Sequence, residues 1–586
     1  MLLFDKKGEI FVKEFKKNLK RVWVFIKPLK VRFIFNIIIS MIMIIMSIVF
    51  PILSAQIIVN LTNSEFIQLL AISLIICILN FIDDLLYYFQ SKNYQIIFRE
   101  SYLNIQNTIG REILKLENQV IDNNGTGVFI QRITGDASKL SDIFNFLINN
   151  LRAIITNVGI FGAIFIVNKL AFIFLLFQTI IIYFVERESS IKRNDADKKF
   201  REKNEKVTSF VSELVRGSRD IKMLNAENSF MEELANKNRE ANELRYKMGS
   251  IGRKYNLATS SIYNISSFLF IALLVYLISK DTLNIATALV LYNYSGRVSN
   301  INYYIQNILE QIKNFNLSAN RVFNILDSIE FKKEKFGNKK ITNIHGNFEF
   351  KNVSFSYKKD EVLKDINFKI KAGETVAFVG KSGAGKTTIF NLLCKMYRVK
   401  NNHIFIDGID INKLDKDSIR GNITIISQNP YIFNLSIREN LSLVKENLTE
   451  EDMIDACKTA CLHDYIMSLP DGYDTIIGEG GINLSGGQKQ RLAIARALVQ
   501  KTKIILFDEA TSALDNETQS KIQEAIENMK GEYTILIIAH RLSTIINSDR
   551  ILFLNDGKIE ACGTHNELIA NNNNYKKLYN SEINKK

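Results

Sequence analysis

Leu484-Ser485-Gly486-Gly487-Gln488-Lys489-Gln490-Arg491, with Ile504-Ile505-Leu506-Phe507-Asp508-Glu509 a short way downstream, decides what the C-terminal part of this chain is. The apolar run reads as a buried strand that ends by delivering two adjacent carboxylates. The first, Asp508, can organise a metal, and the second, Glu509, can act as a base. The Ser-Gly-Gly turn exposes backbone N–H groups suited to a phosphate.

Upstream, Gly380-Lys381-Ser382-Gly383-Ala384-Gly385-Lys386-Thr387 fits the P-loop pattern G-x-x-x-x-G-K-[ST] at every fixed position. Ala377-Phe378-Val379 reads as the end of a buried strand and Thr388 to Leu393 as the first turns of a helix. The loop between them points amides and a helix N-terminus at an anion. Its glycines let backbone approach oxygen closely, Lys386 brings a point charge to the β/γ-phosphates, and the Thr387 hydroxyl can ligate Mg²⁺. For this loop alone a glycine-rich turn that binds nothing is the alternative; the downstream motifs, in order, remove it.

Together these motifs resemble the nucleotide-binding domain of ATP-binding cassette (ABC) proteins, an α/β P-loop NTPase fold. The resemblance implies ATP and Mg²⁺ as cofactors. It places Gly380, Ser382, Gly383, Gly385, Lys386, Thr387 and Thr388 at the nucleotide, and Tyr357 stacked on adenine, although a tyrosine at a strand end would also fit the surface. Gln428 matches the glutamine that reaches the metal beside Thr387 and Asp508. Gly478-Glu479-Gly480-Gly481 matches a short loop found in exporters, Ser512 to Asp515 the D-loop, and His540 the histidine that holds the γ-phosphate. Lys386, Glu509 and His540 are the implied catalytic set, with Glu509 as the general base on water. In the family, Ser485, Gly486, Gly487 and Gln488 cap ATP bound to a second cassette. One cassette per chain therefore implies a dimer. Neither Glu509 nor the signature is degraded, which favours a homodimer and leaves a paralogous half-transporter as the other partner.

What precedes the cassette decides what the ATP is for. Phe33 to Ser64 contains no charged residue and is long enough to cross about 30 Å of hydrocarbon, with Pro51 as a kink. Further apolar runs at Phe66–Ile82, Ala153–Asn168, Leu170–Val185, Tyr255–Ser279 and Thr282–Gly296 give an expectation of six spans. The third borrows residues from Leu147 onward, with Arg152 snorkelling at its end. Short connections alternate with long charged ones, which carry Arg99, Arg111, Lys115 and Arg132, and then Arg187 to Lys254. The positive-inside rule puts the long loops, the cassette and both termini in the cytosol. The long loops step apolar residues at three and four, as helices would. They resemble the intracellular extensions of ABC exporters, with coupling turns near Asp122 to Gly127 and near Glu213 to Gly217. The expected organisation is a basic amphipathic segment at 1–30, a helical transmembrane domain at 31–325, a linker at 326–345 and the nucleotide-binding domain at 346–586.

The formal net charge of +14 could signal nucleic acid. Much of it sits in the first thirty residues, among Phe11, Phe15, Leu19, Val22, Trp23, Phe25 and Ile26, which reads as an interfacial helix on anionic lipid instead. Membrane lipid, not nucleic acid, is the expected partner. The five cysteines are scattered and imply reduced thiols. No cysteine-protease segment or cleavable leader is expected ahead of the first span. Abundant Asn, Lys and Ile with little Pro suggest an AT-rich bacterial genome, and the six expected spans imply a multi-pass protein of the cytoplasmic membrane.

The implied function is ATP-driven efflux of an amphipathic peptide, lipid or drug by alternating access. An inward-moving transporter of the same shape is the alternative, and soluble cassette ATPases acting on nucleic acid lack such spans. For the substrate, ionisable residues at membrane depth are the clue: Asp83, Asp84 and Arg297 fit a gate, a cavity wall or plain interfacial charges.

Overall fold

The computed structural model describes residues 6–298, 301–327, 330–357, 360–427, 430–445, 447–478, 481–508, 516–538 and 546–583. The chain divides into two compact units, Met1–Leu114 with Gly127–Asp327, and Lys115–Thr126 with Ser328–Lys586.

The first unit is helical throughout. α1 (Lys6–Ile26) leads through a single 3₁₀ turn to α2 (Lys30–Thr62), with Pro51 inside it. α3 (Phe66–Ile113) follows, then α4 (Asn118–Asn124) and α5 (Thr126–Gln131), a π-helical turn at Arg132–Asp136, α6 (Ala137–Val167) and α7 (Lys169–Arg216). α8 (Ser218–Met223), α9 (Glu227–Ser279), α10 (Ile285–Val298) and α11 (Ile301–Leu326) complete the run; α4 itself packs with the second unit. α3, α7 and α9 have 48, 48 and 53 residues. At 1.5 Å per residue each is about 70–80 Å long, so the charged extensions are continuous with the spans.

Among the described residues, five helices are long and apolar enough to cross a membrane. The sixth expected span falls on α10, whose 14 residues are too few alone for about 30 Å of hydrocarbon. The chain resumes as helix at Ile301. Large apolar side chains such as Ile67, Leu70, Ile166 and Phe177 stand exposed along these helices, as a lipid solvent requires. Inside, Ile160, Ile164, Leu175, Phe270, Leu274 and Leu291 form a buried cluster.

Two local readings change. Arg152 lies inside α6, and its guanidinium donates to Met43 Sδ at 3.0 Å and Gln90 Oε1 at 3.4 Å instead of snorkelling. The apolar face of α1 is largely taken by protein. Val22 and Ile26 are fully buried, Phe15 meets Phe315 edge-on and Trp23 packs on Phe33 and Phe144. Arg21 pairs with Asp327 through two hydrogen bonds of 2.6 and 2.8 Å and lies over the Phe323 ring.

The second unit is built on two sheets. β1 (Phe348–Ser356), β2 (Glu361–Ile370), β4 (Ile404–Ile406) and β5 (Ile409–Asp410) form an antiparallel sheet in the order β2-β1-β4-β5. β3 (Thr375–Gly380), β6 (Ile423–Ile426), β9 (Ile504–Asp508), β10 (Thr534–Ile538), β11 (Arg550–Asn555) and β12 (Lys558–Gly563) form the other, ordered β12-β11-β3-β10-β9-β6 and parallel except for β12. β7 (Leu435–Ser436) and β8 (Ile476–Ile477) pair separately.

Side chains alternate between the two faces of the larger sheet. Val379, Phe507, Ile537 and Phe553 enter one core cluster, while Phe378, Leu506, Leu536 and Leu552 enter the other. Burial on both faces is why these strands read as unbroken apolar runs. Around them lie α12 (Lys386–Leu393), α13 (Lys416–Arg420), α14 (Ile437–Ser442), α15 (Glu450–Thr459), α16 (His463–Met467), α17 (Gly486–Gln500) and α18 (Asn516–Met529). The stretch expected as a linker is not free chain from Glu330 onward. Phe331 is buried, Glu334 binds Arg420 at 2.6 and 2.9 Å, and Gly337 N donates to Leu414 O.

Candidate nucleotide site and coupling segment

The P-loop spans the turn between β3, buried at every position, and α12. Gly385 caps α12 in the left-handed region at φ +97°, where an added Cβ would stand 2.5 Å from Leu363 Cδ2, so glycine alone fits both the angle and the space. Lys386 is buried, and its ammonium donates to the carbonyls of Gly380 at 2.8 Å and Lys381 at 3.0 Å. The lysine therefore lies back across the loop and holds it curved.

β9 and β3 are separated by β10, and all three run parallel, so their C-terminal ends share one edge. That edge is where open α/β sheets bind ligands. Asp508, the last residue of β9, accepts a hydrogen bond from Thr387 Oγ1 at 3.2 Å. A hydroxyl and a carboxylate brought together beside a phosphate loop are the oxygen donors Mg²⁺ takes, so these residues fit that ion. Gln428, Glu509 and His540, as well as Glu479 and residues 512–515, lie outside the described residues.

Tyr357 follows β1, with its hydroxyl donating to Thr388 Oγ1 at 3.2 Å. Its ring stands edge-on to Phe355 and Tyr397, each at 5.0 Å. Ser485 is the N-cap of α17. Its Oγ accepts from Gln488 N at 3.3 Å while its own N–H donates to Gln488 Oε1 at 2.7 Å, a reciprocal box that opens the helix with Ser485 and Gly486 exposed and Gly487 buried. This turn does not join the P-loop cluster. Ser485 and Gln488 instead line a polar cavity of about 620 Å³ with His463, Arg491, Lys521 and Glu524.

Sequence reasoning missed how tightly the segment expected to hold the first coupling turn is bound within this unit. Leu116 bridges Lys333 as paired strand, Glu117 N donates to Lys332 O at 3.0 Å, and Glu334 N donates to Lys115 O at 2.9 Å. Arg398 pairs with Glu117, Tyr397 Oη donates to Asp122 Oδ2 at 2.9 Å, and Gln119 Nε2 donates to Tyr357 O at 2.8 Å. Burial, and then the hydrogen bond to Asp122, push the Tyr397 phenol well above its ordinary range, so it stays a donor at any physiological pH. Met396-Tyr397-Arg398, just past the P-loop helix, was the available signal.

The ABC transporter profile matches residues 363–512, and the ABC transporter transmembrane region matches 33–301. An ATP-dependent lipid A-core flippase of Syntrophus aciditrophicus is 33% identical over 505 residues, covering 84% of this chain and 82% of that protein. A putative multidrug export ATP-binding/permease protein of Bacillus subtilis is 37% identical over 322 residues, 55% of this chain and 56% of the relative. Among solved structures, a bacterial Atm1-family ABC exporter with ATP bound matches with a TM-score of 0.79 and 25% identity, over 94% of this chain and 98% of the other. A chain whose helical unit and P-loop unit match those two profiles in that order, and which aligns with a flippase over most of both lengths, belongs to the ABC transporter family, as a half-transporter that fuses one membrane domain to one nucleotide-binding domain.

Proposed function

We propose that this chain, as a homodimer in a bacterial cytoplasmic membrane with its cassettes and termini cytosolic, exports an amphipathic compound at the expense of ATP. The observation that carries the reading is the Thr387–Asp508 hydrogen bond at the mouth of a P-loop, in a chain whose other unit has five membrane-length apolar helices. Relatives named for lipid flipping and for multidrug export share amphipathic cargo, which is the class proposed here.

In this reading Lys386 leaves the loop carbonyls to meet the β/γ-phosphates, the backbone amides at the start of α12 hold phosphate oxygens, and Tyr357 supports the adenine. Thr387, Asp508 and Gln428 would hold Mg²⁺, which when bound neutralises phosphate charge. Glu509 takes a proton from the attacking water and His540 holds the γ-phosphate. The Ser485 to Gln488 turn closes on nucleotide held by the partner cassette, and the segment around α4 feels that closure through Tyr357 and Tyr397.

The test is ATP hydrolysis by the purified chain reconstituted alone in lipid, beside Glu509→Gln, across a panel of peptides, lipids and cationic drugs. Glu509-dependent hydrolysis stimulated by one class supports a self-sufficient exporter. Folded protein without hydrolysis would overturn the homodimer and direct the search to a partner half.

A further inference from the structure

Within the membrane unit, α2, α3, α6, α10 and α11 line an open cavity of about 450 Å³, inside the size range of small-molecule sites. Its walls carry charges of both signs. Asp83 comes from α3, Arg152 from α6 and Arg297 from α10, with Asn157 and Tyr304 beside them.

The hydrogen bonding on these walls is lopsided. Arg297 Nη1 donates to Ser47 O at 2.8 Å, and Arg152 Nη1 donates to Met43 Sδ and Gln90 Oε1. Each guanidinium thus spends one nitrogen on protein and keeps the rest of its donor fork for something else. Asp83 makes no hydrogen bond or ion pair among the described residues, with either arginine or with any other group. Asn157 is 5% exposed; its Nδ2 donates to Ala153 O at 2.7 Å, and its Oδ1 is buried with no partner. The cavity therefore presents unpartnered acceptors, Asp83 and Asn157 Oδ1, and spare cationic donors that do not neutralise them. Buried polar groups are otherwise nearly always satisfied, and ionisable groups at membrane depth are costly unless they serve a function.

A cationic ligand would meet two guanidiniums, and an anionic one would meet Asp83. Only a ligand with both signs completes every group. We propose that this cavity is the headgroup subsite for a zwitterionic amphiphile. Its ammonium is received by Asp83 and Asn157 Oδ1, and its acidic group by Arg152 and Arg297. The proposal rests on the export reading above and gives its substrate class.

The experiment uses the full chain in nanodiscs with three twelve-carbon probes below their micellar concentrations: dodecylphosphoethanolamine, dodecyl phosphate and dodecylamine. Equilibrium binding of each labelled probe is measured along with stimulation of ATP hydrolysis. The zwitterion is expected to act at a concentration about tenfold lower than either single-charge probe, since a site built for a polar group rejects the analogue that lacks it. Asp83→Asn moves the preference toward dodecyl phosphate and Arg297→Gln moves it toward dodecylamine. Asp84→Asn, an exposed neighbour outside the lining, leaves the preference as it was. Equal action of the three probes, or a shift in the same direction in both cavity variants, overturns the subsite. Glu509-dependent hydrolysis with no charge preference would sink the subsite alone. Absence of such hydrolysis would overturn the homodimer of the export reading, and the binding measurements would still decide the subsite.

Discussion

Gln119 and Tyr357 are 238 positions apart in sequence, yet the Gln119 side-chain amide donates to the Tyr357 carbonyl oxygen at 2.8 Å. One lies in the segment that returns α3 toward α5, the other at the edge of the nucleotide loop. With Tyr397 hydrogen-bonded to Asp122 and edge-on to Tyr357, the two ends of the same aromatic pair hold α4.

Breaking this link separates hydrolysis from its control. Tyr397→Phe removes the hydroxyl and keeps the ring, and Gln119→Ala removes the amide. Unstimulated hydrolysis is expected to stay within about twofold, while stimulation by cargo falls several-fold, the scale of a coupling energy of about 1 kcal/mol. Cargo stimulation equal to wild type in the double variant would refute the link.

Lys386 ties the loop through Gly380 and Lys381 and brings the charge that the phosphates need. Lys386→Ala should lower the hydrolysis rate about 10²–10³-fold, as loss of one oriented electrostatic group does. The thermal stabilisation that MgATP gives the wild type should also vanish, as differential scanning fluorimetry would read.

Gly385→Ala combines a positive φ with a Cβ 2.5 Å from Leu363 Cδ2. A cost of about 1–3 kcal/mol is expected from the backbone angle alone. The cassette should unfold at lower denaturant and lose nucleotide binding, whereas Gly531→Ala, also at positive φ but with open space around its Cβ, should unfold at lower denaturant with nucleotide binding retained.

Thiol chemistry should follow burial. Cys394 and Cys457 are buried, and burial pushes both thiols up to about 12. Cys562 is exposed. A water-soluble disulfide reagent at pH 7.5 is expected to modify Cys562 in the native protein and to reach Cys394 and Cys457 only after unfolding. Mass spectrometry of the labelled peptides checks it, and rapid native modification of Cys394 would contradict the packing.

Asp407 stitches the start of β1 to the β4–β5 turn. Burial would raise its carboxyl, but hydrogen bonds from the Asn347 main chain and side chain, His345 N and Gly346 N outweigh that and hold it below the usual carboxylate range. A folded-state value below the unfolded one means that the unfolded chain takes the proton first. The stabilisation is therefore complete above about pH 4 and is lost as pH falls through the lower folded value. Asp407→Asn should be less stable at pH 7, by about 1–2 kcal/mol, and should show a flatter stability profile below pH 4. Parallel acid profiles would show that Asp407 is not responsible.

Much of the second unit was legible because its signals are local. A strand buried on both faces must be apolar along its middle, as Val376 to Val379, Ile504 to Phe507 and Ile535 to Ile538 are in β3, β9 and β10, and a phosphate loop must put Gly, Lys and Thr at fixed offsets. The helical unit was legible in outline for the same reason, since a lipid solvent excludes charge from long runs such as Phe33 to Ser64. The readings that shifted all depended on distant neighbours. Arg152 looked like a snorkelling side chain because charge near apolar sequence favours an interface, but its guanidinium is held by Met43 and Gln90 of neighbouring helices. Val22, Trp23 and Ile26 looked lipid-facing because amphipathicity records that a helix has an apolar face without recording what covers it.

By itself the sequence determined the P-loop, the β9 carboxylate, the signature turn and the membrane-length helices, since each is written in residues a few positions apart. Only the tertiary structure decided that Gln119, Asp122 and Glu117 meet Tyr357, Tyr397 and Arg398, and that Asp83, Arg152, Asn157 and Arg297 share one cavity. Hydrogen bonds and charge act over a few ångströms of space regardless of separation along the chain, and the packing of helices and strands, not local pattern, sets which distant side chains come within that reach.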